Sequence, residues 1–142
     1  MMQTSEAGIE FIKGNEGYVP VPKPDNGKLA WGYGHDQQPG EVPPEFISEP
    51  DADTLLRHDL ATRFEPAVNA IIPIEGGVVC TQNQFDALVD FCFNLGPSAL
   101  RMMTGHGWEQ VPTQMLRWCH VNGEVSNGLP ARRQKEVAFF NS

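Results

Sequence analysis

Apolar positions recur at helical spacing along most of this chain and alternate with polar ones over one short stretch near its start. In "TSEAGIEFIKGNEG" Ile9, Ile12 and Glu16 share one helical face. Ser5 is placed to cap that helix, Glu6 lies in the first turn where the helix dipole favours an acid, and Gly17 ends it. The next segment, "YVPVPKPDNGKLAWGYG", is Pro-rich and predicts two short strands joined at Asn26-Gly27, the strongest short-range signal for a tight hairpin. From Ser48 a long helix is predicted, opened by a Ser cap and an early Pro. It carries Ala52, Leu55, Leu56, Leu60, Phe64, Val68 and Ile71 near helical spacing, with Pro66 as the place for a kink. "TQNQFDALVDFCFNLG" then combines a Thr81 to Gln84 capping box with an apolar stripe of Phe85, Leu88, Val89 and Cys92, closed by Gly96 and Pro97. That pattern predicts a buried central helix. Shorter helices are expected at about Ser98 to Met103, Pro112 to Val121 and Pro130 to Phe140.

These elements predict an α+β, mostly helical fold, and 142 residues match one domain with a real core. The formal charge of −8 and only ten Lys and Arg argue against nucleic-acid binding, because a phosphate-binding face needs clustered cations. Three cysteines without CxxC spacing suit a reducing compartment better than a disulfide framework, and metal ligation by them is not expected. No apolar run approaches the roughly 18 residues of a membrane span, and "MMQTSEAGIEF" lacks the basic and apolar regions of a signal segment. The expected setting is a cytoplasm, with no stable membrane association.

The candidate chemistry rests on two carboxylates. Glu16 shares its face with isoleucines and sits at the negative end of the helix dipole, and both effects raise its pKa. A carboxyl group that holds its proton near neutral pH can give it to a leaving oxygen. Asp25 lies in a polar turn, where a carboxylate stays ionised. Two such groups on elements meeting at a cleft make the acid and base pair of a glycosidase. The plainer readings are a solvated or capping Glu at a helix end and a turn-forming Asp before Asn-Gly.

More specific than spacing is a likeness spread over the chain. Glu16-Gly17 is followed after eight intervening residues by Asp25, and "GYGH" stands at Gly32 to His35. With the central "TQNQFDALVDFCFNLGPSAL" and the closing "LRWCHVNGEVSNGLPARRQKEVAFF", the sequence resembles the phage-type lysozymes, endolysin muramidases of glycoside hydrolase family twenty-four, over nearly its whole length. The resemblance implies a lysozyme-like fold: residues 1–142 as a single catalytic domain, with a small β-hairpin lobe at about 17–47 joined by a long helix to a helical lobe (about 1–16 and 48–142). It implies Glu16 as general acid and Asp25 as the carboxylate that activates water or stabilises the transition state. The chain departs from the family at a Thr whose hydroxyl helps hold the attacking water: Ala30 stands there counted back from "GYGH", and Trp31 counted five residues on from Asp25.

The other candidates divide between cleft and scaffold. Tyr18, Trp31 and Tyr33 flank the proposed cleft and are candidate substrate-binding residues, since aromatic faces stack on sugar rings; burial in the small lobe is the alternative. His35 is either a cleft residue or a hydrogen-bonding tie between hairpin and helical body. His58, His106 and His120 read as surface residues, and one of Arg132 and Arg133 is expected to pack against the body and pair with an acid. The implied function is a phage endolysin, monomeric and cofactor-free, that hydrolyses the β-1,4 bond between N-acetylmuramic acid and N-acetylglucosamine in bacterial peptidoglycan. It would wait in the host cytoplasm and reach the periplasm and cell wall at lysis. The alternatives are a lytic transglycosylase that leaves 1,6-anhydro ends and a non-catalytic peptidoglycan-binding protein. A zinc amidase is weaker still, since no His and Cys set has ligand spacing.

Overall fold

The computed structural model describes residues 1–73, 79–121, 123–126 and 128–142. Helix α1 spans Glu6–Glu16 and is capped as the sequence predicts: the Ser5 side chain accepts from the Gly8 N–H, and Gly17 at φ +73° closes the last turn. The sheet comprises β1 (Val19–Asp25), β2 (Lys28–Gly32) and a third strand that the sequence reading lacked, β3 (His35–Asp36), in the antiparallel order β1-β2-β3. Asn26 at φ +50° and Gly27 at φ +81° form the tight turn of the first hairpin, the left-handed pair such a turn requires.

The long helix is three segments in direct succession. It begins with α2 (Glu49–Asp59), capped by Ser48, passes through a π-helical turn at Leu60–Phe64, and ends as α3 (Glu65–Ile71). Pro66 accounts for the irregularity. Its ring crowds the carbonyl four residues back and it offers no N–H, and the wider turn just before it relieves both. Ala52, Leu56, Leu60, Phe64 and Val68 from this stripe are buried, so the kink leaves the apolar face continuous.

Helix α4 (Gln82–Leu95) is the centre of the core. Its capping box is complete, and Phe85, Leu88, Val89, Phe91 and Cys92 are all fully buried. Helix α5 (Pro97–Thr104) follows, then a single 3-10 turn at Trp108–Gln110 and α6 (Val111–Met115). The predicted helix from Pro112 to Val121 therefore ends at Met115. A second small hairpin, β4 (His120–Val121) with β5 (Glu124–Val125), occupies the end of that span. The sequence carried the signal in Asn122-Gly123, the same dipeptide as in the first hairpin. Helix α7 (Leu129–Phe140) closes the chain and packs against α4.

Two acids on successive turns of α4 fix α1 in place. Asp86 accepts from the Ser5 backbone N–H at 3.0 Å and from the Ser5 hydroxyl, and Asp90 accepts from Asn15 Nδ2 at 3.2 Å. Gly8 permits the close approach, because a Cβ there would stand 2.6 Å from the Asp86 carboxyl carbon. Both ends of α1 are thus tied to one rigid helix, which positions Glu16 at its C-terminal end.

The sheet is tied down by His35, which is buried. Its Nδ1 lies 2.6 Å from Asp59 and its Nε2 2.9 Å from Glu41. Both partners only accept when ionised, so both ring nitrogens donate and the ring is the cation. Burial opposes that charge, but the bonds to Asp59 and Glu41 outweigh it and raise the pKa above the ordinary 6.5. A raised folded-state pKa contributes stability that is complete below pH 6.5 and is lost as pH rises through the folded value. The urea midpoint is therefore expected to fall between pH 6 and 9, and His35→Gln should flatten that slope. Parallel slopes for wild type and variant would sink this account.

Candidate active site

Glu16 ends α1 with its side chain only 17% exposed. Arg132 of α7 donates from Nη1 to its Oε2 at 3.1 Å. The other carboxylate oxygen faces Gly34, where a Cβ would stand 2.7 Å from it and 2.9 Å from the ring of Phe93. Gly34 also has φ +72°, so both backbone angle and space explain this glycine of the Gly-x-Gly-His run.

Burial pushes the Glu16 carboxyl above its ordinary range. Arg132 opposes the shift by its charge and its hydrogen bond, and the negative charges of Asp90 and Asp36 add to it. The direction matches the sequence expectation. The cause is burial between α1, the sheet and α7, together with the neighbouring acids.

Arg132 is itself held rigidly. Its Nε and Nη2 donate to the two oxygens of buried Asp90 at 3.0 and 2.9 Å, the bidentate geometry that a guanidinium and a carboxylate share. Burial disfavours the Asp90 charge, but hydrogen bonds from Glu136 and Arg132 hold its carboxyl below the usual range. Burial and the adjacent Asp90 push Glu136 up to about 10, so it keeps its proton at neutral pH and donates it to Asp90. Arg133, fully buried, donates from Nη2 to Glu136 Oε2 at 2.9 Å and to Asn94 at 2.7 Å. Both arginines are thus paired with acids, where the sequence suggested one. Asp90 and Glu136 were missed. The available signal was an acid inside the apolar run of α4, and another three residues beyond Arg133 on α7.

The remaining sequence candidates separate. Asp25 ends β1, opposite Lys28, and is exposed, and among the described residues its side chain makes neither a hydrogen bond nor an ion pair. Trp31 and Tyr33 are 3% and 6% exposed, and the Tyr33 hydroxyl donates to Glu49 at 2.7 Å. His35 is held between two acids, the Trp31 ring lies 4.9 Å from the His35 ring, and all three residues are packed into the scaffold around the sheet. Tyr18 is half-buried, tilted against Tyr33, and its hydroxyl donates to the Ile47 carbonyl at 2.6 Å. His58, His106 and His120 are exposed, as expected.

A groove of about 430 Å³ lies between the end of α1 and the start of α7, lined by Gly14, Asn15, Ser126, Arg132 and Lys135. It reaches the catalytic candidate through Arg132. Among the described residues, no group of three or more His, Cys, Asp or Glu is arranged to hold a metal ion. Burial pushes the Cys80 and Cys92 thiols up to about 11 and about 12, so neither is a nucleophile at neutral pH.

Comparison with known proteins gives the class to which this arrangement belongs. Residues 13–136 match the phage lysozyme family model, and the chain belongs to that family. The endolysin of Acyrthosiphon pisum secondary endosymbiont phage 1 is 31% identical over 99% of both chains. The endolysin of Bacillus phage B103 is 35% identical over 98% of this chain, which spans only 54% of that relative, about half its length. Among solved structures, the muramidase domain of SpmX from Asticaccaulis excentricus superposes with a TM-score of 0.82 at 33% identity, covering 100% of this chain and 99% of that one. The fold is therefore lysozyme-like, α+β and mostly helical.

Proposed function

We propose that this domain is an endolysin muramidase that hydrolyses the β-1,4 bond between N-acetylmuramic acid and N-acetylglucosamine in peptidoglycan. One observation carries the reading beyond family membership: Glu16 is a buried carboxylic acid with a raised pKa, held in one orientation by Arg132. That is the state a general acid needs before it protonates a glycosidic oxygen.

Glu16 gives its proton to the leaving O4 of the sugar as the bond to the anomeric carbon breaks. Positive charge then develops on the ring, and Asp25, exposed at the end of β1, is the second carboxylate. It stabilises that charge or takes the proton of the attacking water. Burial of Glu16 between Gly34, Phe93 and Arg132 keeps bulk water from equilibrating its proton at the bond being cut. In this reading residues 1–142 act as one catalytic domain and as a monomer, the sheet being the small lobe. The protein is made in the host cytoplasm and acts on the wall once released to the periplasm. Among the described residues no helix is long and apolar enough to cross a membrane.

The test is mass spectrometry of muropeptides released from purified peptidoglycan. Hydrolysis predicts reducing N-acetylmuramic acid ends. Predominant 1,6-anhydro ends would replace hydrolysis by transglycosylation, cut amides would replace the bond itself, and no release would leave a binding protein.

A further inference from the structure

The two oxygens of the Glu16 carboxyl lie in unlike surroundings. Oε2 accepts from Arg132 Nη1 at 3.1 Å, so a guanidinium stabilises negative charge on that side. Oε1 has no hydrogen-bond donor among the described residues and faces Gly34. A Cβ on Gly34 would stand 2.7 Å from Oε1 and 2.9 Å from Cε1 of Phe93, so the oxygen and the ring converge on one point over the glycine. Phe93 lies on α4 and is half-buried. Its ring meets that of Phe64 edge-on, with centroids 5.0 Å apart. Phe64 is buried, closes the π-helical turn, and has the Arg63 guanidinium over its ring at 4.8 Å. The wide turn before Pro66 thus sets a fixed aromatic behind Phe93, and Phe93 is the apolar group beside the unbonded oxygen of the acid.

We infer that Phe93 is a positioning residue for the acid: its ring, braced by Phe64, closes Oε1 to bulk water, so that the proton to be transferred sits on Oε1 while Arg132 holds Oε2. A charged oxygen against a ring and a glycine has neither donor nor water, which costs far more than a neutral hydroxyl in the same place. The hydroxyl formed there has no acceptor among the described residues, so its hydrogen is available to the departing oxygen of the sugar. Glu16 keeps some exposure, through which that oxygen reaches it. Burial is the largest influence on the Glu16 carboxyl, ahead of Arg132, and burial is what such a wall supplies. The charged groups that face Glu16 are Arg132 from α7, Asp90 from α4 and Asp36 from β3, and on its own helix Lys13 is engaged by Asp53. A substitution at Phe93 leaves all of these in place, so a change in the titration of Glu16 reports the wall.

This inference rests on the proposed glycosidase chemistry, and the experiment separates the two. The Glu16 carboxyl is titrated by carbon-13 NMR in wild type, Phe93→Leu, Phe93→Ala and Phe93→Gln, its resonance identified by its loss in Glu16→Gln. The pH dependence of the initial rate on purified peptidoglycan and the thermal midpoint are measured for each protein. Phe93→Ala admits water to Oε1 and is expected to lower the carboxyl pKa by about one pH unit, and Phe93→Leu, still apolar, by less than half as much. Phe93→Gln brings an amide donor to the oxygen and should lower it at least as far as Phe93→Ala. The alkaline limb of the rate should move to lower pH in the same order. A purely structural role for Phe93 would show as lowered midpoints with a carboxyl that titrates within about 0.2 pH unit of wild type in every folded variant, and that result overturns the inference. So does a pKa that rises in Phe93→Ala or Phe93→Gln. Should Phe93→Ala fail to fold, Phe93→Leu and Phe93→Gln decide the matter by the same order. A carboxyl pKa that falls while the alkaline limb stays in place, or full activity of Glu16→Gln, would instead overturn the underlying glycosidase reading.

Discussion

Glu16→Gln is expected to fold as the wild type does and to lose at least about a hundredfold in the rate of peptidoglycan cleavage, the usual worth of a positioned general acid or more. The amide fills the same space and its oxygen can still accept from Arg132, but it has no acidic proton to deliver. Stability should not suffer. Because the folded-state pKa of Glu16 lies above its ordinary 4.5, the native state binds the proton more tightly than the unfolded chain. The stabilisation from this group is complete below pH 4.5 and is lost as pH rises through the folded value. A neutral Gln removes that loss, so its thermal midpoint at pH 7 should equal or exceed that of the wild type. The same protonation governs the wild-type rate, which should fall on the alkaline side as Glu16 ionises. Clearing of purified wall by Glu16→Gln at more than about a tenth of the wild-type rate would remove Glu16 from the role of acid.

Asp90→Asn carries the largest expected cost in stability. Asp90 is fully buried and holds the guanidinium of Arg132 through two bonds, with Asn15 and Glu136 as further donors. Asn keeps the volume but removes the charge, which leaves a mostly buried arginine without the carboxylate that pairs with it at two nitrogens. Breaking a buried pair from one side costs about 3–5 kcal/mol, because the stranded ion has lost both water and partner. For a chain of this size that corresponds to a fall of roughly 10–17 °C in the thermal midpoint. Catalysis should suffer separately, since Arg132 is what orients Glu16. A midpoint within about 2 °C of the wild type would show that the network tolerates a neutral group at this position.

What the sequence determined was local. The Ser5, Ser48 and Thr81 caps, the Asn26-Gly27 turn, the stripe of α4 and the interruption at Pro66 all follow from backbone bonding and side-chain shape within a few residues. Local bonding does not depend on distant chain, which is why those elements appear where expected. The acidic candidate was legible for the same reason, as a Glu on the apolar face of α1. Errors arose where a short element depends on partners far away. Strand β3 is two residues long and exists because β2 lies beside it, and the helix after Pro112 stops at Met115. For Trp31, Tyr33 and His35 the sequence left cleft and scaffold as alternatives, since an aromatic or imidazole ring suits either. Burial assigned them to the core, and Asp59 and Glu41 fixed the His35 ring. Only the tertiary structure could assemble Glu16 with Arg132, Asp90 and Gly34, residues separated by as many as 116 positions. It alone set Asp36 across from Ala30, because strand register decides which side chains share a face. The sequence by itself therefore specified which residues could do acid chemistry. The packing of α1, α4, α7 and the sheet decided which of them is held beside an arginine and which stays exposed.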